Sequence, residues 1–255
     1  QGGDYMRINN IGNSSLSTLK YLYSNYREIT HPALKDIFES CILSRELSDD
    51  NDEILDVTAS LLIKTYNDKT ILPTIVDTIF SRNRKGQFNH DLIWTFFQAR
   101  DPYSLMLIAN YLNSDDINDV KLASQLLDFM PSPDMTRGWD SKKQYISFFY
   151  SLKENYPFLY FTGESFQRTS NPKPYAIAID AKYLCKRVSV YTGKPFIPLT
   201  KKENNLSNDF NKLDDNNKQL LSNFSLKIQY ENKYLWRSWI NQPIINQINI
   251  AEVNR

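Results

Sequence analysis

Between Phe88 and Asp134 the chain runs through amphipathic segments punctuated only by "RDP" and "NSDD". Leu92, Ile93, Phe96 and Phe97 line one segment and Leu105, Ile108, Ala109 and Leu112 the next. Spacing of three and four residues is the period of a helix that buries one stripe. A single helical hairpin cannot bury such a stripe alone, so similar hairpins must stack on it. The punctuation fits helix ends: Asn89 can cap the first segment, and Asp101 with Pro102 forms a cap and first turn for the second. Seven glycines in 255 residues are few for folds built on tight turns and ligand loops, which also favours helices.

The pattern extends on both sides. Ser14 or Ser15 can cap a helix bearing Leu16, Leu19, Tyr23 and Tyr26, and Pro32 opens one bearing Leu34, Ile37, Phe38, Cys41 and Ile42. The acidic run Ser48–Glu53 suits the start of a helix striped by Ile54, Val57, Leu61 and Leu62, because carboxylates favour the positive end of the helix dipole. Thr70–Arg82 follows with Pro73 near its start, "NRKGQ" reads as a turn, and Val120, Ala123, Leu126 and Leu127 close the run before "MPSPD". Ala59, Ser60, Leu62 and Ile63 recur 64 positions later as Ala123, Ser124, Leu126 and Leu127. With the Leu92–Phe97 segment near the midpoint, the period is roughly 30 to 40 residues, within the range of helical solenoids.

From Pro32 to Met130 the chain resembles HEAT-type repeats, with paired antiparallel helices, proline or aspartate at helix starts, and an Asp followed by a small and apolar stripe in the second helix. The resemblance implies an all-α, HEAT-like α-solenoid of antiparallel helix pairs over residues 6–133. Residues 134–255 are expected to form a less regular helical region with long connections, packed on the repeats. Asp140 can cap a helix containing Tyr145, Phe148, Phe149 and Leu152. The stretch "NYPFLYFTGESFQRTSNPKPY" is too long and proline-punctuated to continue the repeat. Pro174 then leads an expected helix over 175–188 striped by Ile177, Ala181, Leu184 and Val188. A terminal helical region presents Leu221, Phe224, Ile228, Leu235 and Trp239, with a break near Asn232 and an end at Pro243. Strand content is expected to stay under about a tenth.

Chemistry is sparsely signalled. His31 and His90 sit at helix starts, and Cys41 and Cys185 fall among apolar neighbours as two free, buried thiols. No CxxC, HExxH, GxSxG, GxxxxGK[ST] or GxGxxG occurs, so the marked routes to metal, nucleotide and acyl-transfer chemistry are closed. No catalytic residue, metal ligand or cofactor is assigned. The aspartates at 49–52 and 115–119 lack the central glycine of a calcium loop and read as helix caps. Trp94, Trp236 and Trp239 fit apolar stripes.

Charge is segregated. Ser165–Lys202 holds eight Lys or Arg against Asp180 alone, in a chain of formal net charge +1. On a helix over 175–188, Tyr175, Lys182 and Lys186 lie opposite the apolar face with Arg187 to the side. With Arg168, Lys173 and Lys194 on the flanking connections and Trp139 on a turn, they form the candidate partner-binding surface. Reversal of Lys182 and Lys186 to Glu is then expected to weaken binding and leave the melting temperature unchanged.

These features describe a non-enzymatic scaffold whose partner is a protein. A nucleic-acid partner is the alternative, because HEAT-like alkylpurine DNA glycosylases cradle duplex DNA with basic residues. A second alternative is an immunity or inhibitor protein that neutralises a charged toxin. No run of 18 apolar residues occurs, so no membrane span is expected, and the chain reads as cytoplasmic. "QGGDY" before Met6 is readable equally as a tag scar or as the start of a mature exported chain.

Overall fold

A computed structural model describes residues 30–43, 50–130, 141–164 and 173–254. The expected helix at Leu16–Tyr26, the cap at Asp140, and the candidate residues Trp139 and Arg168 lie outside them. Among the described residues 72% are helical and 4% are in strands, so the chain is all-α apart from one small sheet. None of the described helices is long and apolar enough to cross a membrane. The chain divides into two compact units. One takes the described residues up to Ile75 together with His90–Ala99, and the other takes Val76–Asn89 and those from Arg100 on.

In the first unit, α1 (30–43) and α2 (Asp50–Lys64) precede a 3-10 turn, Lys69–Ile71, that runs into α3 (Leu72–Lys85). There, α2 packs against α4 (His90–Gln98). Leu55, Ala59, Leu62 and Ile63 supply the buried face of α2, whereas Ile54 is 46% and Val57 54% exposed and Leu61 also faces outward. Of the expected stripe Leu62 is buried, while the rest of the buried face runs through Leu55, Ala59 and Ile63 instead of Ile54, Val57 and Leu61. Both faces of this helix carry apolar residues, so periodicity alone does not choose between them. In α1, Phe38 and Cys41 are buried as expected and Ile37 is exposed.

The same cap occurs in both units. Asn67 adopts a left-handed conformation (φ 53°), and Asp68 accepts the amide of Thr70 to open the 3-10 turn before α3. Thirty-three positions on, Arg100 is left-handed (φ 51°), and Asp101 accepts the amide of Tyr103 to open the turn Pro102–Ser104 before α5 (Leu105–Ala109). Burial repeats with the same offset: Leu72, Ile75, Val76 and Ile79 match Leu105, Ile108, Ala109 and Leu112, all buried. Side-chain bonds tie residues about one offset apart. In the first unit Thr30 bonds Tyr66, His31 Nε2 lies 2.8 Å from Asp68 Oδ2, and Lys35 Nζ donates to Thr70 Oγ1 at 3.2 Å. In the second, Tyr111 donates to Asp77 at 2.8 Å and Arg84 to Asp119 at 2.7 Å.

In the second unit α5 continues through a 3-10 turn, Asn110–Asn113, to α6 (Ile117–Leu126), capped by Asp116. Then α7 (Ser141–Asn155) packs on α5 and that turn. Leu127 is fully buried but Leu126 only partly. Leu127→Ala is therefore expected to cost about 2 to 5 kcal/mol and Leu126→Ala clearly less, as read from the midpoints of urea unfolding.

Beyond α7 the chain forms a two-stranded antiparallel sheet, β1 (Leu159–Phe161) and β2 (Tyr175–Ile177), pairing Tyr160 with Ala176. The helix expected over 175–188 is replaced by β2, a short α8 (Ile179–Tyr183) and a turn. Pairing with β1 satisfies the backbone of Tyr175–Ile177, and tertiary pairing overrides the apolar spacing. Cys185 ends α8 in a left-handed conformation (φ 54°), with the Lys186 amide bonded to Ala181 O and the Cys185 amide to Lys182 O. That is a Schellman cap with cysteine where glycine is usual. Gly86 (φ 68°) closes α3 in the same way, as the "NRKGQ" turn implied.

The remaining helices are α9 (Lys201–Asn211), α10 (Asp215–Glu231), α11 (Lys233–Ile240) and α12 (Ile244–Val253). Helix α10 packs on α8, α11 and α12. Tyr183, Phe210, Leu221, Phe224, Ile228, Trp239 and Ala251 form their common core. Asn232 breaks the run as expected, accepting the amides of Tyr234 and Leu235 to restart it. The restart shifts the helical phase, so Leu235 is exposed rather than in line with Ile228. Pro243 does not end the helical region: it precedes α12, whose Gln247 and Ala251 are fully buried.

Candidate functional site

The basic segment is legible only from its local fold. Val188 and Pro195 form an antiparallel bridge. Around it the Ser189 amide donates to Lys194 O at 2.9 Å and the Phe196 amide to Arg187 O at 3.1 Å. Residues 187–196 are thus a short hairpin, seated by the Val188 amide on Pro157 O and by the Phe161 amide on Val190 O, at 2.9 and 2.8 Å. Side chains alternate across paired backbone. With Val188 buried beneath, Arg187 and Phe196 face each other on the outer side, with Ser189 and Lys194 beside them. Phe196 is 67% and Ile197 68% exposed.

Gly193 (φ 67°) makes the turn against the ring of Tyr160, where an added Cβ would approach the ring carbon Cγ to 2.9 Å. Gly193→Ala is expected to cost about 1 to 3 kcal/mol from strained backbone alone, visible as a lower melting temperature.

An arginine–aromatic cluster adjoins the hairpin. Arg100 places its guanidinium carbon 5.0 Å from the Phe161 ring centre and 5.5 Å from that of Tyr191. A left-handed arginine costs roughly 1 to 2 kcal/mol, whereas asparagine, found at the matching position 67, tolerates that conformation. Two cation–π contacts of about 0.5 to 1 kcal/mol each offset the strain at Arg100. Tyr103, 63% exposed, lies against Tyr156 with ring centres 3.8 Å apart and the rings tilted by 32°. Burial pushes the Tyr156 phenol up to about 12; Tyr103 adds to the rise and Arg187 opposes it.

The other expected site residues separate. Tyr175 is buried in β2, where desolvation raises its phenol far above the ordinary value. Lys182 is 3% exposed. Its Nζ donates to Asn223 Oδ1 at 2.6 Å, Asn155 Oδ1 at 2.7 Å and Glu154 Oε1 at 3.4 Å, which uses all three donors of the ammonium. Burial lowers its pKa, opposed by Glu154. Lys186 pairs with Glu203 Oε1 at 2.8 Å. Burial would raise the Glu203 pKa, but Lys186 and the Thr200 capping box hold it below the usual value. The expected free cationic face at Lys182 and Lys186 is therefore overturned: one is a buried tie between α7, α8 and α10, and the other is paired.

Lys173, Arg187 and Lys194 are exposed. Arg100, Tyr103, Tyr191, Phe196 and Ile197 were missed. The available signals were apolar residues set among Pro and Gly in "YTGKPFIP", and an arginine aligned with Asn67.

Both cysteines are free: Cys41 is buried and Cys185 partly so. Desolvation raises both thiols, Cys185 to about 11 despite opposition from Ser225 and Lys182. Both are expected to resist a bulky maleimide in the folded protein at neutral pH, because the thiolate is the reactive species; labelling within minutes would contradict this. Among the described residues no group of three or more His, Cys, Asp or Glu is placed to hold a metal ion. Comparison with protein-family models, curated proteins and solved structures finds no match.

Proposed function

We propose that the chain is a non-enzymatic scaffold that binds a protein partner, built over residues 32–130 as a HEAT-like solenoid of antiparallel helix pairs. The 33-residue recurrence of left-handed residue, aspartate cap and buried face at Asn67–Ile79 and Arg100–Leu112 carries this reading. In a helical solenoid, repeats that share one buried face stack to cover it, and stacked helix pairs expose a long surface suited to recognition. A toxin neutralised by the chain is one form such a partner takes. The nucleic-acid alternative is weakened by Lys182 and Lys186, whose charges are occupied within the fold and are not spare for phosphates.

The test is crosslinking in the native host, affinity purification and mass spectrometry. Recovery of one protein in stoichiometric yield is expected. Crosslinked RNA or DNA in place of protein sinks the reading.

A further inference from the structure

We propose that the outer side of the 187–196 hairpin, with Ile197 and the adjoining Arg100–Tyr191 pair, docks an acidic protein segment that carries an aromatic or aliphatic side chain. This rests on the protein-binding reading above and adds to it the place and the partner's chemistry.

Three observations carry the proposal. First, Phe196 and Ile197 are two large apolar side chains, each about two-thirds exposed; Phe196 sits on a hairpin fixed by four hydrogen bonds and a glycine turn locked against Tyr160, and Ile197 directly follows it. A fixed anchor loses little entropy on binding. Second, the charges around them are cationic: Arg187 lies across the hairpin from Phe196, Lys194 beside it, and Arg100 at the turn. None of these three residues has a carboxylate ion-pair partner among the described residues. Third, the surface holds tyrosine, phenylalanine and arginine (Tyr191, Phe196, Arg187), residue types enriched in binding hot spots.

Carboxylates of the partner match these cations, and an apolar side chain matches Phe196 and Ile197. Single-stranded nucleic acid fits less well. Bases would stack on Tyr103 and Tyr191, but Ile197 has no ring face and gains nothing against phosphate.

Fluorescence anisotropy with three labelled probes tests the proposal on the full chain: a random Glu–Tyr copolymer, poly-glutamate, and an oligothymidylate of about twenty nucleotides. The copolymer is expected to bind tightest, with poly-glutamate weaker by about tenfold or more, because hot-spot anchors carry most of an interface's affinity. Phe196→Ala with Ile197→Ala, and separately Arg187→Glu with Lys194→Glu, are each expected to weaken copolymer binding by at least about tenfold. Circular dichroism and melting temperature should be unchanged, since all four side chains are exposed.

Tightest binding of oligothymidylate overturns the proposal in favour of nucleic acid. Equal binding of poly-glutamate and copolymer overturns the anchor role, and copolymer binding unaffected by either double variant overturns the location. If the crosslinked host protein is retained by both double variants, the hairpin proposal falls and the protein-binding reading stands. If the copolymer binds the hairpin but the host yields no protein partner, the protein-binding reading falls and takes the proposed occupant with it.

Discussion

Lys182→Ala is expected to destabilise the second unit by about 3 kcal/mol or more, the usual scale for removing one partner from a buried charged network. The ammonium holds amide oxygens on two helices, Asn155 of α7 and Asn223 of α10, and is itself carried on α8. Asn155 is buried, so its oxygen is left without the lysine donor and out of reach of bulk water. Lys182→Met keeps the aliphatic stem and loses the bonds, and should recover only part of the loss. Lys186→Ala, whose ion pair with Glu203 is partly exposed on both sides, should stay within about 1 kcal/mol. Urea unfolding of the three variants checks the order.

The pH dependence of Lys182 has a definite sign. Its pKa is lowered in the fold from the ordinary 10.5, so between the folded value and 10.5 the unfolded chain binds more protons and stability rises with pH. Below that window the full penalty for burying the charge is present. The buried phenols act oppositely. Tyr183 is pushed by burial to about 12, so its contribution is complete below 10 and is lost as pH rises through about 12. The stability difference between the native chain and Lys182→Met isolates the lysine's slope, and a flat difference up to pH 10.5 would contradict the assignment.

Trp239→Ala is expected to cost about 3 to 5 kcal/mol, as for other large aromatic residues removed from a core. The indole is 2% exposed and meets Tyr183 and Phe224 edge-on at ring separations of 6.1 and 5.2 Å. Its Nε1 donates to Gln247 O at 3.2 Å, while Tyr183 donates to Gln247 Oε1 at 2.8 Å. The truncation therefore opens a cavity and breaks a bond that ties α11 to α12. Trp239→Phe keeps most of the apolar volume and should lose less than half as much. A loss below about 1 kcal/mol for the alanine variant would mean that this core does not contribute cooperatively to folding.

Periodicity made the helices of residues 30–130 legible, because three- and four-residue spacing and aspartate or proline caps are local signals. Asp101, Asp116, Gly86 and Asn232 act where the sequence placed them. The phase of α2 was only partly legible, since Ile54, Val57 and Leu61 compete with Leu55, Ala59 and Ile63 for the same helix. Nor was the fold of 175–196, whose strand, left-handed Cys185 and hairpin depend on partners at Leu159–Phe161 and Pro157 that are distant in sequence. That misreading carried over to the candidate surface. Placed on one long helix, Lys182 pointed to solvent; on the short α8 it points between α7 and α10.

The bonds that join successive caps and helices link residues 34 to 37 positions apart, whereas Tyr183 and Gln247 are 64 apart. Contacts close in sequence form early and rapidly, while those that close long loops form late. On the ribosome these short-range bonds can therefore form within each unit while synthesis continues. The core around Trp239 must wait for α12, because Gln247 and Ala251 complete it. Until α12 emerges, Tyr183, Phe224 and Trp239 lack the groups that cover them. Ribosome-held chains halted before Ile244 should accordingly be cleaved by protease within residues 179–240, while the α3 to α6 region is already protected.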